Sequence, residues 1–186
     1  QLFIETSRQD KPFETAEDIL MHLLDGGFPS ASYFRLQTVG TYLADFHPFA
    51  FALIDLTAYH SQYLGTRHLK QEIRDRFPDS HSFLYKGDVF LFLHKERDAE
   101  TFTDLEKEFG LKVIVSDPIH DLFALPLLYR AAHDALDMIV KSNYHGGNVC
   151  SVSQLRTPLL LKSMESRAEL IPPALRALAE HDTKKQ

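Results

Sequence analysis

The chain has 186 residues, of which 44% are hydrophobic and 25% charged, a composition typical of one folded domain of ordinary size with appended helices. A formal net charge of −6 gives no general attraction for DNA or an anionic membrane, and no apolar run reaches the ~18 residues of a membrane span. The single cysteine, Cys150, cannot form an internal disulfide, which predicts a reducing compartment and hence a cytoplasmic location.

Two helices are predicted before Pro48. Thr15 and Asp18 have the spacing of a capping box, and Gly26 and Gly27 are expected to end this first helix in a left-handed conformation. Its apolar face consists of Ile19, Leu20, Leu23 and Leu24. A second helix is predicted within residues 30–46 from apolar side chains at helical spacing, namely Leu36, Val39 and Leu43.

The middle of the chain predicts the order strand, helix, strand, strand, helix, strand, helix. In this order the elements are 49–56, a helix through Leu69, Ile73 and Phe77, the two strands of 82–94, then 101–110, 111–117 and 125–140. The helix at 101–110 is expected to be capped by Thr101 or Thr103. Two further helices are predicted to begin at Thr157-Pro158 and at Ile171-Pro172-Pro173.

This order is the ferredoxin-like βαββαβ motif, an α+β fold. The sequence therefore predicts a mostly antiparallel sheet of four strands with helices on one face. In residues 89–93, however, valine and leucine alternate with phenylalanine, so both faces of that strand are apolar and a second layer must cover the other face. The candidates are the N-terminal helices, the C-terminal helices and a second copy of the chain, and we favour the appended helices.

The two strands of 82–94 meet at Lys86-Gly87-Asp88. Glycine tolerates positive φ and aspartate is common in turns, so a tight hairpin turn explains these residues without any function. Their place in the βαββ order suggests a second interpretation. The stretch "LYKGDVFLFL" resembles the GGDEF signature hairpin of diguanylate cyclases, and "FALIDLTAYHSQY" resembles the first strand of that family together with the segment after it.

The resemblance implies that Asp55 and Asp88 correspond to the family's metal ligands, as two carboxylates at the ends of adjacent strands would suit Mg²⁺. Three departures imply that the site is degenerate: Val89 replaces a second acidic residue, Lys86 replaces a glycine, and Tyr63 replaces an asparagine expected to contact guanine. We therefore expect no catalytic residues, no cofactor and no bound metal.

Asp55, Lys86, Gly87 and Asp88 are the candidates for a vestigial binding site. A carboxylate in the apolar run containing Asp55 is unfavourable if buried, unless it pairs or binds a cation. Asp55 is expected either to cap the end of its strand or to retain a metal site, and Lys86 offers a fixed cation that could neutralise it.

Three further segments extend the resemblance along most of the chain: "AEDILMHLLDGG", "VSDPIHDLFALPLLYRAAHDALDM" and "LIPPALRALAEHD". They resemble PucR/CdaR-type bacterial transcriptional regulators, in which a degenerate GGDEF-like domain precedes a C-terminal helix-turn-helix. The resemblance implies an N-terminal helical segment at 1–47, the GGDEF-like domain at 48–150 and C-terminal helices at 151–186. The chain begins with Gln1 and is expected to be a piece of a longer protein whose DNA-binding domain is not included.

Two functions follow as hypotheses. One is a non-catalytic domain that transmits a signal or a dimer geometry to the helix-turn-helix; the other is retained binding of a nucleotide or cyclic dinucleotide at Asp55 and Asp88. A homodimer is favoured because apolar stripes on the terminal helices exceed what one sheet face buries. These stripes are Leu20, Leu23 and Leu24; Leu159 and Leu160; and Leu175 and Leu178. The effector is not identified.

Other reactive side chains carry weaker signals. Four histidines lack the paired spacing of a zinc site, namely His120, His133, His145 and His181. Cys150 is expected to be a buried apolar residue rather than a nucleophile, and Ser151 and Ser153 lack a nucleophile-elbow context.

Overall fold

The computed structural model describes residues 15–56, 66–78, 80–95, 98–141 and 147–165. Within these ranges the chain is an α+β protein with six α-helices and five strands. The helices are α1 (Ala16–Leu24), α2 (Ala31–Thr38), α3 (Thr66–Arg76), α4 (Asp98–Phe109), α5 (Leu125–Lys141) and α6 (Val152–Glu165). The strands are β1 (Ala50–Asp55), β2 (Ser82–Tyr85), β3 (Asp88–Leu93), β4 (Lys112–Val115) and β5 (Val149–Ser151). Short 3₁₀ helices span Tyr42–Asp45 and Leu122–Ala124.

The five strands form one mixed sheet in the order β2-β3-β1-β4-β5. Strand β1 lies at the centre and pairs antiparallel with both β3 and β4, so that Leu53 lies opposite Phe90 on one side and Ile114 on the other. Strand β5 pairs parallel with β4. The predicted sheet of four strands is therefore wrong in number, because three residues at 149–151 are too few to show a strand period in the sequence.

Both faces of the central strands are buried. On one face, Phe51, Leu53, Phe90 and Phe92 belong to a core cluster that includes side chains from α1, α5 and α6. On the other face, alanine, leucine and isoleucine side chains of the same strands pack with α3 and α4. The predicted second layer is thus present, and within the described residues the chain's own helices supply it.

The N-terminal helices follow the prediction in part. Thr15 and Asp18 form the capping box of α1, and Gly26 follows the helix with φ +73°; Gly27 does not have a positive φ. The second helix is shorter than predicted, because the chain turns at Gly40 with φ +77°. Two members of its predicted apolar stripe are consequently exposed, Leu36 by 62% and Val39 by 59%, whereas Leu43 is buried.

Two helices begin earlier in the chain than predicted. Helix α4 begins at Asp98, so the predicted cap at Thr101 or Thr103 is wrong. Helix α6 begins at Val152, because Ser151 and Gln154 exchange hydrogen bonds in a reciprocal cap. Pro158, which was predicted to begin this helix, lies inside it. The helix predicted from residue 171 lies outside the described residues. Among the residues that the structure does describe, no helix is long and apolar enough to cross a membrane.

Candidate functional site

The hairpin between β2 and β3 is a two-residue turn made by Lys86 and Gly87. Tyr85 pairs directly with Asp88, and the two residues between them have φ values of +50° and +99°. Positive φ at both central residues is characteristic of type I′ turns, whose twist matches that of the flanking strands. The prediction of a tight turn is confirmed, with Asp88 as the first residue of β3 rather than part of the loop.

The tip of this hairpin is attached to the end of α1 by a cluster of three side chains, Asp25, Tyr85 and Lys86, which we call the latch. The Tyr85 hydroxyl donates a hydrogen bond of 2.6 Å to Asp25 Oδ1, and Lys86 Nζ lies 3.1 Å from the same oxygen. The ammonium group also lies 4.9 Å from the centre of the Tyr85 ring, within cation–π range. The latch therefore joins the N-terminal segment to the hairpin through both an ion pair and a hydrogen bond.

The chemistry of the latch is consistent with a charged Asp25 and a neutral Tyr85. The hydrogen bond from Tyr85, followed by the bond from Lys86, lowers the pKa of Asp25. Burial and the hydrogen bond to Asp25 raise the pKa of Tyr85 to about 12. Interactions with Tyr85 and Asp25 raise the pKa of Lys86, so its ammonium form persists throughout the physiological range.

The two predicted carboxylates do come together. Asp55 is the last residue of β1 and is only 3% exposed. Ile54 pairs with Val89 in the antiparallel register of β1 and β3, so the residues that follow and precede them, Asp55 and Asp88, lie beside each other on adjacent strands. Burial, then the charge of Asp55, raises the pKa of Asp88 to about 6. The Asp88 carboxyl is therefore half protonated near pH 6 and mostly charged at pH 7, where its charge is unfavourable because of burial and of Asp55.

Lys86 does not take the role predicted for it beside Asp55. Its amine pairs with Asp25, because the turn directs the side chain towards the end of α1. Lys112 lies opposite Asp55 in the register of β1 and β4, but its amine donates 2.8 Å and 3.4 Å bonds to the carbonyl oxygens of Ile139 and Val140. That position at the C-terminal end of α5 is one at which a cation is stabilised by the helix dipole.

Helix α5 brings a further set of polar side chains to the latch. Tyr129 is only 8% exposed. The centre of its ring lies 5.0 Å from the centre of the Tyr85 ring and 5.7 Å from that of the His133 ring. The Tyr129 hydroxyl is buried and has no hydrogen-bond partner within the described part of the chain. Arg130, next to it on the helix, is exposed.

These side chains border a cavity of about 350 Å³ between the end of α1, the hairpin turn and the first turns of α5. Asp25, Lys86, Tyr129, Arg130 and His133 all line it. We call it the latch cavity. The charge of His133 acts on Asp88 to lower its pKa, although burial and Asp55 act more strongly in the opposite sense. The latch cavity and the carboxylate pair are therefore electrostatically coupled neighbours.

The other predicted candidates have structural roles where the structure describes them. Cys150 is 5% exposed and belongs to the core, and burial raises the pKa of its thiol, which confirms the prediction of a buried apolar residue. Ser151 caps α6, and Ser153 shares a hydrogen bond with it. Three predicted candidates lie outside the described residues: Tyr63, His145 and His181.

Few side chains that could bind a metal ion lie close together in the described residues. Across the described ranges, no group of three or more His, Cys, Asp or Glu side chains is arranged to hold a metal ion. Asp55 and Asp88 alone would leave most positions around a Mg²⁺ ion to water or to a phosphate ligand, which is how that ion is often bound.

Several residues of the site could not be predicted from the sequence. Asp25 and Tyr85 are 60 positions apart in the sequence. An aspartate followed by glycine, as at Asp25, predicts only the end of a helix and not a partner for a distant tyrosine. Tyr129, Arg130 and His133 lie on successive or neighbouring positions of one helix, but their polarity alone does not distinguish a cavity wall from a solvated face.

Comparison with known proteins assigns no family. No protein-family model matches the chain, and the curated proteins compared with it include no significant match.

Proposed function

We propose that the chain is the non-catalytic regulatory and dimerisation domain of a cytoplasmic, PucR/CdaR-like bacterial transcriptional regulator. We further propose that its sheet is a GGDEF-like variant of the ferredoxin-like fold. The antiparallel order β2-β3-β1-β4 around a central β1 supports that fold, with β5 as an added parallel strand. In this proposal the domain transmits a signal to a DNA-binding helix-turn-helix encoded further along the protein.

The observation that carries the proposal is the latch. In the resemblance to cyclases, the hairpin turn is where the backbone approaches a nucleotide. Here Lys86 extends from that turn and is held by Asp25 at the end of α1. A turn that is fixed to the N-terminal segment suits mechanical coupling, since a displacement of α1 would be passed to the hairpin and so to the centre of the sheet.

The environment of Val89 supports the non-catalytic part of the proposal. The side chain is 5% exposed and packs in the core cluster beneath α3 and α4. A second carboxylate at this position would be removed from water, which is strongly unfavourable unless the group is paired or hydrogen-bonded. The fold is therefore built around the apolar residue, rather than merely tolerating it.

A direct assay tests this absence of catalysis. The purified chain is incubated with GTP and Mg²⁺, and the products are separated by liquid chromatography with mass detection. We expect no cyclic di-GMP above the blank without protein. Product that accumulates in proportion to protein concentration would contradict the non-catalytic assignment.

The dimeric part of the proposal is supported by apolar side chains left uncovered. Leu127, Leu160 and Leu161 on α5 and α6 are 67%, 60% and 57% exposed, whereas the predicted stripe of Leu20, Leu23 and Leu24 is buried within the chain. Light scattering across a dilution series should give a mass near twice the 21.3 kDa of one chain. A mass that stays at the monomer value up to high concentration would contradict a dimer.

A second candidate function is retained binding of a metal–nucleotide complex, and the proximity of Asp55 and Asp88 favours it. A divalent cation would bind the deprotonated pair and so stabilise the folded chain by a free energy that rises with the logarithm of its concentration above the dissociation constant. Mg²⁺ with a non-hydrolysable GTP analogue should then raise the melting temperature of the wild type but not of Asp88→Asn. Equal responses of both proteins would count against this candidate.

A further inference from the structure

A groove of about 480 Å³ lies between helices α5 and α6, and we call it the α5–α6 groove. Its apolar lining is formed by Ala131 of α5 and by Val152, Leu159 and Leu160 of α6. Leu160 is 60% exposed, although it lies beside this apolar surface. Removing such a side chain from water against a partner is favourable, so the groove is a candidate contact surface.

The groove singles out one of the three exposed leucines of α5 and α6. Leu161 is 57% exposed but does not line the groove, because successive residues of an α-helix point about 100° apart. Leu127 lines a separate small cavity with Phe28 and Phe123. A partner that fills the α5–α6 groove would therefore bury Leu160 and leave the other two leucines outside the contact.

The two sides of the groove carry unpaired charges of opposite sign. Asp134 on α5 and Lys162 on α6 are both exposed and line the groove, and neither forms an ion pair within the described part of the chain. Arg156, also on α6, is by contrast paired with Asp117 at 2.7 Å. The groove thus suits a partner that brings a cation to Asp134 and a carboxylate to Lys162.

A second copy of the chain supplies both groups. In a two-fold arrangement, Lys162 of one protomer faces Asp134 of its partner, and the same pair forms again at the symmetric position. We propose that the α5–α6 groove is the interface of the homodimer, with α6 of each protomer lying along the groove of the other and both Leu160 side chains buried. Insertion of a helix into an apolar groove is a common mode of recognition. The assignment of this surface rests on the dimerisation proposed above.

The first test compares the same substitution at neighbouring positions of α6. Leu160→Asp places a charge in the contact and should raise the dissociation constant of the dimer at least about a hundredfold, since burial of an unpaired carboxylate is strongly unfavourable. Leu161→Asp is the matched control and should leave the dissociation constant unchanged. Light scattering of the full chain across a dilution series measures both, and circular dichroism checks that both variants are folded.

The second test reverses the charges on the two sides of the groove. Asp134→Lys and Lys162→Asp each place like charges opposite each other and should weaken the dimer about tenfold. The double variant restores opposite charges and should dimerise within about threefold of the wild type. The two single variants change the net charge in opposite directions, so a general charge effect would strengthen one dimer and weaken the other.

The outcomes separate this surface from dimerisation itself. A wild type that stays monomeric would overturn both, as would follow if another segment of the same chain filled the groove. A dimer that persists in Leu160→Asp would overturn the α5–α6 groove alone and would leave the dimeric part of the proposed function intact. A double variant that dimerises no better than the single variants would mean that Asp134 and Lys162 do not pair across the interface, which would overturn the two-fold arrangement.

Discussion

Replacing Asp88 by asparagine should stabilise the chain at neutral pH. The carboxyl of Asp88 has a pKa of about 6 in the folded state, raised mainly by burial and then by Asp55, against about 3.9 in an unfolded chain. The folded state therefore binds its proton more tightly than the unfolded state does. Between about pH 4 and 6 the free energy of unfolding falls as pH rises, and above pH 6 the full penalty of the charged, half-buried group is present.

The size of this penalty follows from the shift in pKa. A shift of about two units corresponds to roughly 2.7 kcal/mol, but Asp88 is partly exposed and solvent screening reduces the value to about 1–2 kcal/mol. Asparagine has nearly the same shape and no charge. We therefore expect Asp88→Asn to be more stable than the wild type by about 1–2 kcal/mol at pH 7 and equally stable near pH 3.5, where both states of the wild type are protonated.

Urea denaturation followed by circular dichroism, at pH values from 3.5 to 8, measures the difference between the two proteins. Carboxylates that do not interact with Asp88 contribute equally to both proteins and cancel, whereas the interaction with Asp55 is part of the measured difference. Asp104→Asn is the matched control, because Asp104 has a 75% exposed side chain, and its difference from the wild type should not vary over this range. A destabilised Asp88→Asn at pH 7, or a difference independent of pH, would refute the assigned burial and the closeness of Asp55.

Three further variants test the hairpin and the cavity by the same urea measurements. Tyr85→Phe removes the hydrogen bond to Asp25 and should lower the free energy of unfolding by about 1 kcal/mol, whereas Tyr33→Phe, at an exposed tyrosine, should not; equal effects would contradict the latch. Gly87→Ala should destabilise by about 1 kcal/mol through its φ of +99° alone, since an added Cβ meets no atom; an unchanged stability would mean that the turn is not as described. Tyr129→Phe should stabilise by about 1 kcal/mol by removing a buried hydroxyl to which none of the described residues is hydrogen-bonded, and a loss of stability would mean that the hydroxyl has a partner.

Local pattern determined which elements were predictable. The strand at Ala50–Asp55 and the hairpin around Gly87 were predicted because each is an apolar run bounded by turn residues. The stripe through Leu36 and Val39 was predicted wrongly, because helical spacing cannot reveal that Gly40 reverses the chain. Strand β5 gave no pattern, as it is defined by its pairing with β4 and not by its own three residues.

The contacts of the candidate site were likewise predictable only where they depend on neighbouring strands. Asp55 and Asp88 were predictable as neighbours, because adjacent strands fix which residues meet. The partner of Lys86 was not, since Asp25 reaches it only after α1 packs across the sheet face. Contacts between distant segments depend on the packing of whole elements, and spacing along the chain carries no information about them.

We propose that this chain is a domain that brings together and controls a DNA-binding module. The most direct measurement fuses residues 1–186 to a helix-turn-helix domain that occupies its paired half-sites only when a fused partner dimerises it, and follows repression of a reporter gene. We expect repression well above that of a fusion to a monomeric protein of similar size. Repression no greater than that of this monomeric control, with both fusions present at equal levels, would contradict the proposed dimerising role of the chain.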